Sequence, residues 1–93
     1  MTIETLADIT PNSTATPLST NENLRAAWII FSAVGSTIRV GDANVSASRG
    51  ILLPTGVPVP FPPPGTYDQG QMYLKQVHVW GVGADKVSVT YGT

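Results

Sequence analysis

Residues 86–91 read Lys-Val-Ser-Val-Thr-Tyr, a strict alternation of polar and apolar side chains. A period of two is typical of a β-strand with one buried face, because successive side chains of a strand point to opposite sides. The pattern predicts a strand here that places Val87, Val89 and Tyr91 in the core. The fold must then supply a sheet for this strand to join.

The residues before this strand indicate further strands. Gly81-Val82-Gly83-Ala84-Asp85 has the glycine content of a hairpin loop and predicts a strand over 72–80. Residues 24–32 are apolar on both faces, which favours a central strand. Shorter strands are predicted at 36–40, 45–47 and 51–53. The six prolines of 54–64 restrict that stretch to an edge strand or an extended loop, since proline has no N–H to donate.

Seven or eight short strands with regular turn signals and no convincing helix predict an all-β fold. The expected architecture is a small β-sandwich or jelly-roll-like barrel over residues 21–93. Residues 1–20 are rich in Thr and Ser, hold Pro11 and Pro17, and are predicted to form an extended N-terminal arm outside the sandwich. We expect Ile3, Leu6 and Ile9 to contact a neighbouring subunit. Removal of residues 1–20 would then leave the sandwich folded.

Composition excludes several functional classes. The chain has 93 residues, no Cys and a net charge of −1 from scattered residues, so neither a disulfide scaffold nor a basic nucleic-acid surface is expected. Charged residues make up only 12% of the chain, against about 25% in a typical domain, which predicts a largely neutral surface. The longest apolar run is too short to cross a bilayer, and no secretory signal is visible, so we expect synthesis in the cytoplasm and no membrane partner.

Catalytic and metal-binding patterns are missing from the sequence. His78 is the only histidine and has no co-ligands at metal spacing. The acidic residues lie in the arm or in predicted turns, where Asp commonly caps its own backbone. No Gly-x-Ser-x-Gly occurs. The prediction is a binding protein that is not an enzyme and has no catalytic residue, metal or cofactor.

Aromatic side chains are the remaining candidates for a contact surface, since they anchor many protein interfaces. We assign Trp28, Phe31 and Tyr91 to the core. The candidate interface anchors are Phe61, Tyr67 and Trp80. His78 lies beside Trp80 and is either a partly exposed residue that packs against that ring or an interface contact.

Several strand and turn segments carry a resemblance that covers a little over half the chain, from Gly41 to Tyr91. They are Val40-Gly41, 45–51, Leu53-Pro54, 74–81 and 84–91. This pattern resembles small virion proteins of tailed bacteriophages, most closely head decoration (cement) proteins. The stretch 58–64 departs from the shorter linker of that pattern. The resemblance implies a protein on the outer capsid surface of the virion that bridges major capsid subunits and forms a homotrimer.

A second hypothesis comes from a different class of function. Exposed aromatic rings also stack on sugars, so the chain could be a receptor- or carbohydrate-binding module of a phage tail or fibre. Its stacking residues would be Tyr67, Tyr73 and Trp80. Binding to a glycan array distinguishes the two hypotheses.

Overall fold

The computed structural model describes residues 3–61 and 72–92. These residues form ten β-strands and one short 3-10 helix, Leu74–Gln76. The strands are β1 (Ile3–Thr5), β2 (Thr16–Pro17), β3 (Arg25–Ala26), β4 (Trp28–Val34), β5 (Arg39–Gly41), β6 (Ile51–Leu52), β7 (Val59–Phe61), β8 (Met72–Tyr73), β9 (His78–Trp80) and β10 (Lys86–Gly92). The prediction of an all-β fold is confirmed.

Two four-stranded antiparallel sheets form the sandwich. Sheet A has the order β1-β10-β4-β7, sheet B has the order β2-β9-β5-β6, and β3 pairs separately with β8. Among the eight strands of the two main sheets, the first pairs with the last, the second with the seventh, the third with the sixth and the fourth with the fifth. This nested pairing is that of a jelly roll, as the sequence predicts.

The core lies between the inner faces of the two sheets. Every second side chain of β4 and of β10 points into this core and is at most 3% exposed. These side chains are Ile29, Phe31 and Ala33 on β4 and Val87, Val89 and Tyr91 on β10. Val40 and Val79 of sheet B are equally buried, and they are cross-strand partners. The predicted burial of Phe31 and Tyr91 is confirmed, and so is the inward orientation of Val87 and Val89.

Trp28 differs from its prediction as a core residue. It alternates with the buried Ile29 on β4, so its side chain lies on the outer side of sheet A, opposite Gly92 of β10. A Cβ atom at residue 92 would come within 2.3 Å of the Trp28 indole carbons. Glycine at this position therefore lets the indole ring lie flat across the neighbouring strand.

The N-terminal residues also differ from the sequence prediction. They are extended, but β1 and β2 are edge strands of this chain's own two sheets. Between the two strands, the Leu6 amide donates to the Val89 carbonyl at 3.0 Å, and Leu18 follows β2 as a core residue that is 5% exposed. The physical reason is that β10 and β9 each have an edge to fill, and the N-terminal backbone supplies the missing hydrogen bonds.

Deletion of residues 2–20 is therefore expected to abolish cooperative unfolding. The deletion removes two of the eight jelly-roll strands, and Leu18 with them. Circular dichroism during thermal and urea unfolding measures the effect. A matched control is Ile3→Thr, since Ile3 is 65% exposed and its replacement should change stability by no more than about 0.5 kcal/mol. A deletion variant that still unfolds cooperatively would restore the arm hypothesis.

A second prediction concerns alkaline pH. The Tyr91 hydroxyl donates to Oε2 of Glu4 at 2.9 Å. Burial of the phenol, and then its hydrogen bond to the Glu4 carboxylate and the charge of that group, raise the pKa of Tyr91 above its ordinary value of 10.0. The unfolded chain therefore loses this proton first as pH rises, so Tyr91 contributes stability that is present below pH 10 and declines above it.

The free energy of unfolding in urea, measured below and above that pH, tests this expectation. Between the two conditions the wild-type chain should lose more stability than Tyr91→Phe, which has no phenolic proton to release. An equal loss in both would show that Tyr91 has the same pKa folded and unfolded.

Candidate binding surface

The outer side of sheet B brings together several of the residues singled out in the sequence. His78 and Trp80 of β9 both face outward, because Val79 between them is fully buried. In the register of the sheet, Arg39 lies opposite both Trp80 and Leu52. These three side chains form one row across three strands, and Val82 borders it. We call the surface formed by Arg39, Leu52, His78, Trp80 and Val82 the Trp80 face.

A groove with a cavity volume of about 280 Å³ runs through this face. Leu52 is 52% exposed and Val82 is 39% exposed, and both line the groove together with the half-buried Trp80 ring. Ser36, Thr37, Arg39 and Ala47 complete the lining. The groove therefore offers apolar contact area with one charged group, the Arg39 guanidinium.

Within the described residues, the Arg39 guanidinium makes one hydrogen bond. Its Nη1 donates to the Gly50 carbonyl at 2.9 Å, which fixes one side of the fork. The ion pairs between described residues are Lys75 with Glu22 and Lys86 with Asp8, so Arg39 is in neither. Because a guanidinium carries five N–H donors, the remaining ones can bind an acceptor in the groove.

Asp85 fixes the wall of the groove. Its carboxylate accepts hydrogen bonds from the Thr37 amide at 3.1 Å and from the Thr37 hydroxyl, and that hydroxyl accepts one from the Val82 amide at 3.0 Å. Gly35 has a φ of +112°, and a Cβ atom there would collide with the Asp85 carboxylate. The network ties the β4–β5 turn to the β9–β10 loop, so Asp85 has a structural role.

The other predicted contact residues are not part of this surface. Leu6 and Ile9 pack against this chain's own core, so the structure does not present them as an arm that reaches a neighbour. Phe61 also packs on the core, where its ring meets Phe31 edge-to-face at a centroid distance of 6.2 Å. Ile3 is exposed, but on the other sheet. Tyr67 lies outside the described residues.

The outer side of sheet A forms a second surface, which we call the sheet A face. Its apolar members are Ile3, Trp28, Ile30, Val34 and Pro60, and Thr5, Ser32, Ser88 and Thr90 lie between them. Ile30 and Val34 are 37% and 50% exposed. Lys86 is the one charged residue among these described positions, and its Nζ lies 3.7 Å from Asp8. The sequence prediction missed this face because it assigned Trp28 to the core.

Tyr73 lies apart from Trp80. The Arg25 guanidinium stacks over the Tyr73 ring at 5.6 Å from its centroid, and Tyr73 lines a separate groove with Glu22, Lys75 and Gln76. Among the described residues, Tyr73 and Trp80 therefore line two different grooves.

Over residues 3–61 and 72–92, no group of His, Asp and Glu side chains is arranged to hold a metal ion. In the same residues, no helix has the length and apolar character to span a membrane. Comparison of the chain with protein-family models, with curated proteins and with solved structures gave no match.

The structural role of Asp85 leads to a stability prediction. Asp85→Ala should lower the free energy of unfolding by about 1–3 kcal/mol, because two donors of Thr37 lose a charged acceptor. The matched control is Asp42→Ala, since Asp42 caps only the amide of Asn44 within its own exposed turn and its loss should cost about 0.5 kcal/mol. Urea unfolding measures both variants. Equal effects would mean that the Asp85 network adds nothing beyond an ordinary turn.

Proposed function

We propose that the chain is a head decoration (cement) protein of a tailed bacteriophage, which binds the outer capsid surface and bridges major capsid subunits. The observation that carries the proposal is the exposure of apolar side chains on both outer faces of so small a sandwich. Leu52 and Val82 are exposed on one face, and Ile30 and Val34 on the other. Clustered apolar side chains on a surface are a mark of protein contact sites.

Further support comes from composition, fold and resemblance. With 12% charged residues the surface is suited to a contact that is mostly neutral and apolar. Jelly rolls are frequent among viral capsid and lectin domains, which is an argument by analogy of fold. The resemblance of the segments between Gly41 and Tyr91 to phage decoration proteins favours the capsid role.

In this proposal each face of the sandwich contacts a different capsid subunit, and the rigid jelly roll holds the two subunits at a fixed separation. The N-terminal residues do not act as a flexible arm in this proposal, because Leu6 and Ile9 pack against the core. A homotrimer would place three such clamps around one axis and raise the affinity for the head by multivalency. Light scattering on the purified protein tests this oligomeric state.

Binding to capsids tests the proposal directly. Heads of the phage that encodes the chain, purified from a mutant that lacks it, are mixed with the purified protein and sedimented. We expect the protein to sediment with the heads and to raise their thermal stability. Trp80→Ala and Ile30→Ser should each weaken binding by about tenfold or more, as expected for anchors at the centre of an interface. Val57→Ser is the control, since Val57 is 50% exposed but belongs to neither face.

Two results would contradict the decoration role. One is a wild-type protein that does not sediment with heads. The other is specific binding to a glycan array that Trp80→Ala abolishes, in the absence of head binding. The second result would assign the chain to the receptor-binding class.

A further inference from the structure

We infer that the groove of the Trp80 face binds a peptide segment of the partner in which a carboxylate side chain lies close to an apolar one. This inference rests on the proposed function in one respect, that the partner is a protein. It adds the chemistry of the partner segment and the residues that recognise it.

Charge complementarity gives the first half of this recognition. Arg39 is the one charged residue among the described residues that line the groove, and its ordered partner is a backbone carbonyl, that of Gly50. The contact with Gly50 holds the guanidinium in place, so little side-chain freedom is lost when its other donors bind. A carboxylate is the acceptor that matches the planar fork of arginine. The apolar neighbours Trp80 and Leu52 reduce the water around such a pair and so strengthen it.

The second half of the recognition comes from the apolar lining. Leu52 and Val82 are exposed and line the same groove as the Trp80 ring, so a partner side chain placed there would contact all three. The Trp80 ring is itself half-buried and does not offer a fully open platform for a sugar. These features favour a peptide, in which an apolar side chain and a carboxylate can stand on the same side of the chain.

The two tryptophans of the chain provide the readout. The 93-residue chain, labelled with ¹⁵N, is titrated with the peptide acetyl-Thr-Leu-Thr-Glu-Thr-amide, in which Leu and Glu project to one side of an extended segment. The indole N–H signal of Trp80 should shift. That of Trp28 should stay in place, because Trp28 lies on the outer side of the other sheet.

Matched peptides and variants separate the charge contribution from the apolar one. The same peptide with Gln in place of Glu should bind at least about fivefold more weakly. Arg39→Gln should abolish the difference between the two peptides. Arg49→Gln should preserve it, since Arg49 is exposed and lines a different groove.

Three outcomes would overturn the inference. The first is the absence of a Trp80 shift with either peptide up to about 10 mM, which corresponds to negligible binding. The second is equal affinity for the Glu and Gln peptides. The third is a Trp80 shift with glucuronic acid but not with the peptides, which would indicate a sugar site. Sedimentation with heads separates this inference from the proposed function. If heads bind Arg39→Gln with the same affinity as the wild type, the inference alone is contradicted. If the peptide shifts the Trp80 signal but the protein does not bind heads, the decoration role alone is contradicted.

Discussion

The pairing of β10 with its two neighbours is the interaction on which the rest of the structure depends. β10 matches β4 over seven residue pairs on one side and β1 on the other, so the first and last strands of the described chain lie side by side in sheet A, with β1 at its edge. The chain contains no cysteine that could link its strands covalently. The pairing of the first strand with the last is the outermost of the four nested pairs of the jelly roll. The same register turns Val87, Val89 and Tyr91 inward, and a slip of one residue would expose all three.

The strands that could be predicted from the sequence are the long ones. β4 and β10 each run for seven residues, which is enough for a period of two to be visible. β1 and β2 have three and two residues, so no period marks them, and only their distant partners make them strands. Both faces of β4 are apolar, and for that reason the sequence could not decide whether Trp28 or Ile29 lies inside. The partner strand decides it, since Gly92 leaves room for an indole ring on the outer side.

The candidate site was predictable in the same partial way. His78 and Trp80 are two residues apart on one strand, so their common outward face follows from local geometry. Arg39 lies opposite Trp80 because of the cross-strand register, and Leu52 joins the row from a third strand. Neither relation is visible without the fold. Asp85 ends the loop that the sequence predicts, but its hydrogen bonds to Thr37 span 48 positions and cannot be inferred from spacing.

The edges of the two sheets are poorly suited to pairing with a further strand. The terminal strands of both sheets, β1, β2, β6 and β7, are only two or three residues long in the described part of the chain. On β7, Pro60 cannot donate a hydrogen bond, and Pro58 just before it adds a second position without an N–H. Short and proline-containing edges are poor templates for a further strand. Among the described residues, the exposed apolar side chains of the outer faces are therefore better suited to a protein contact than the strand edges are.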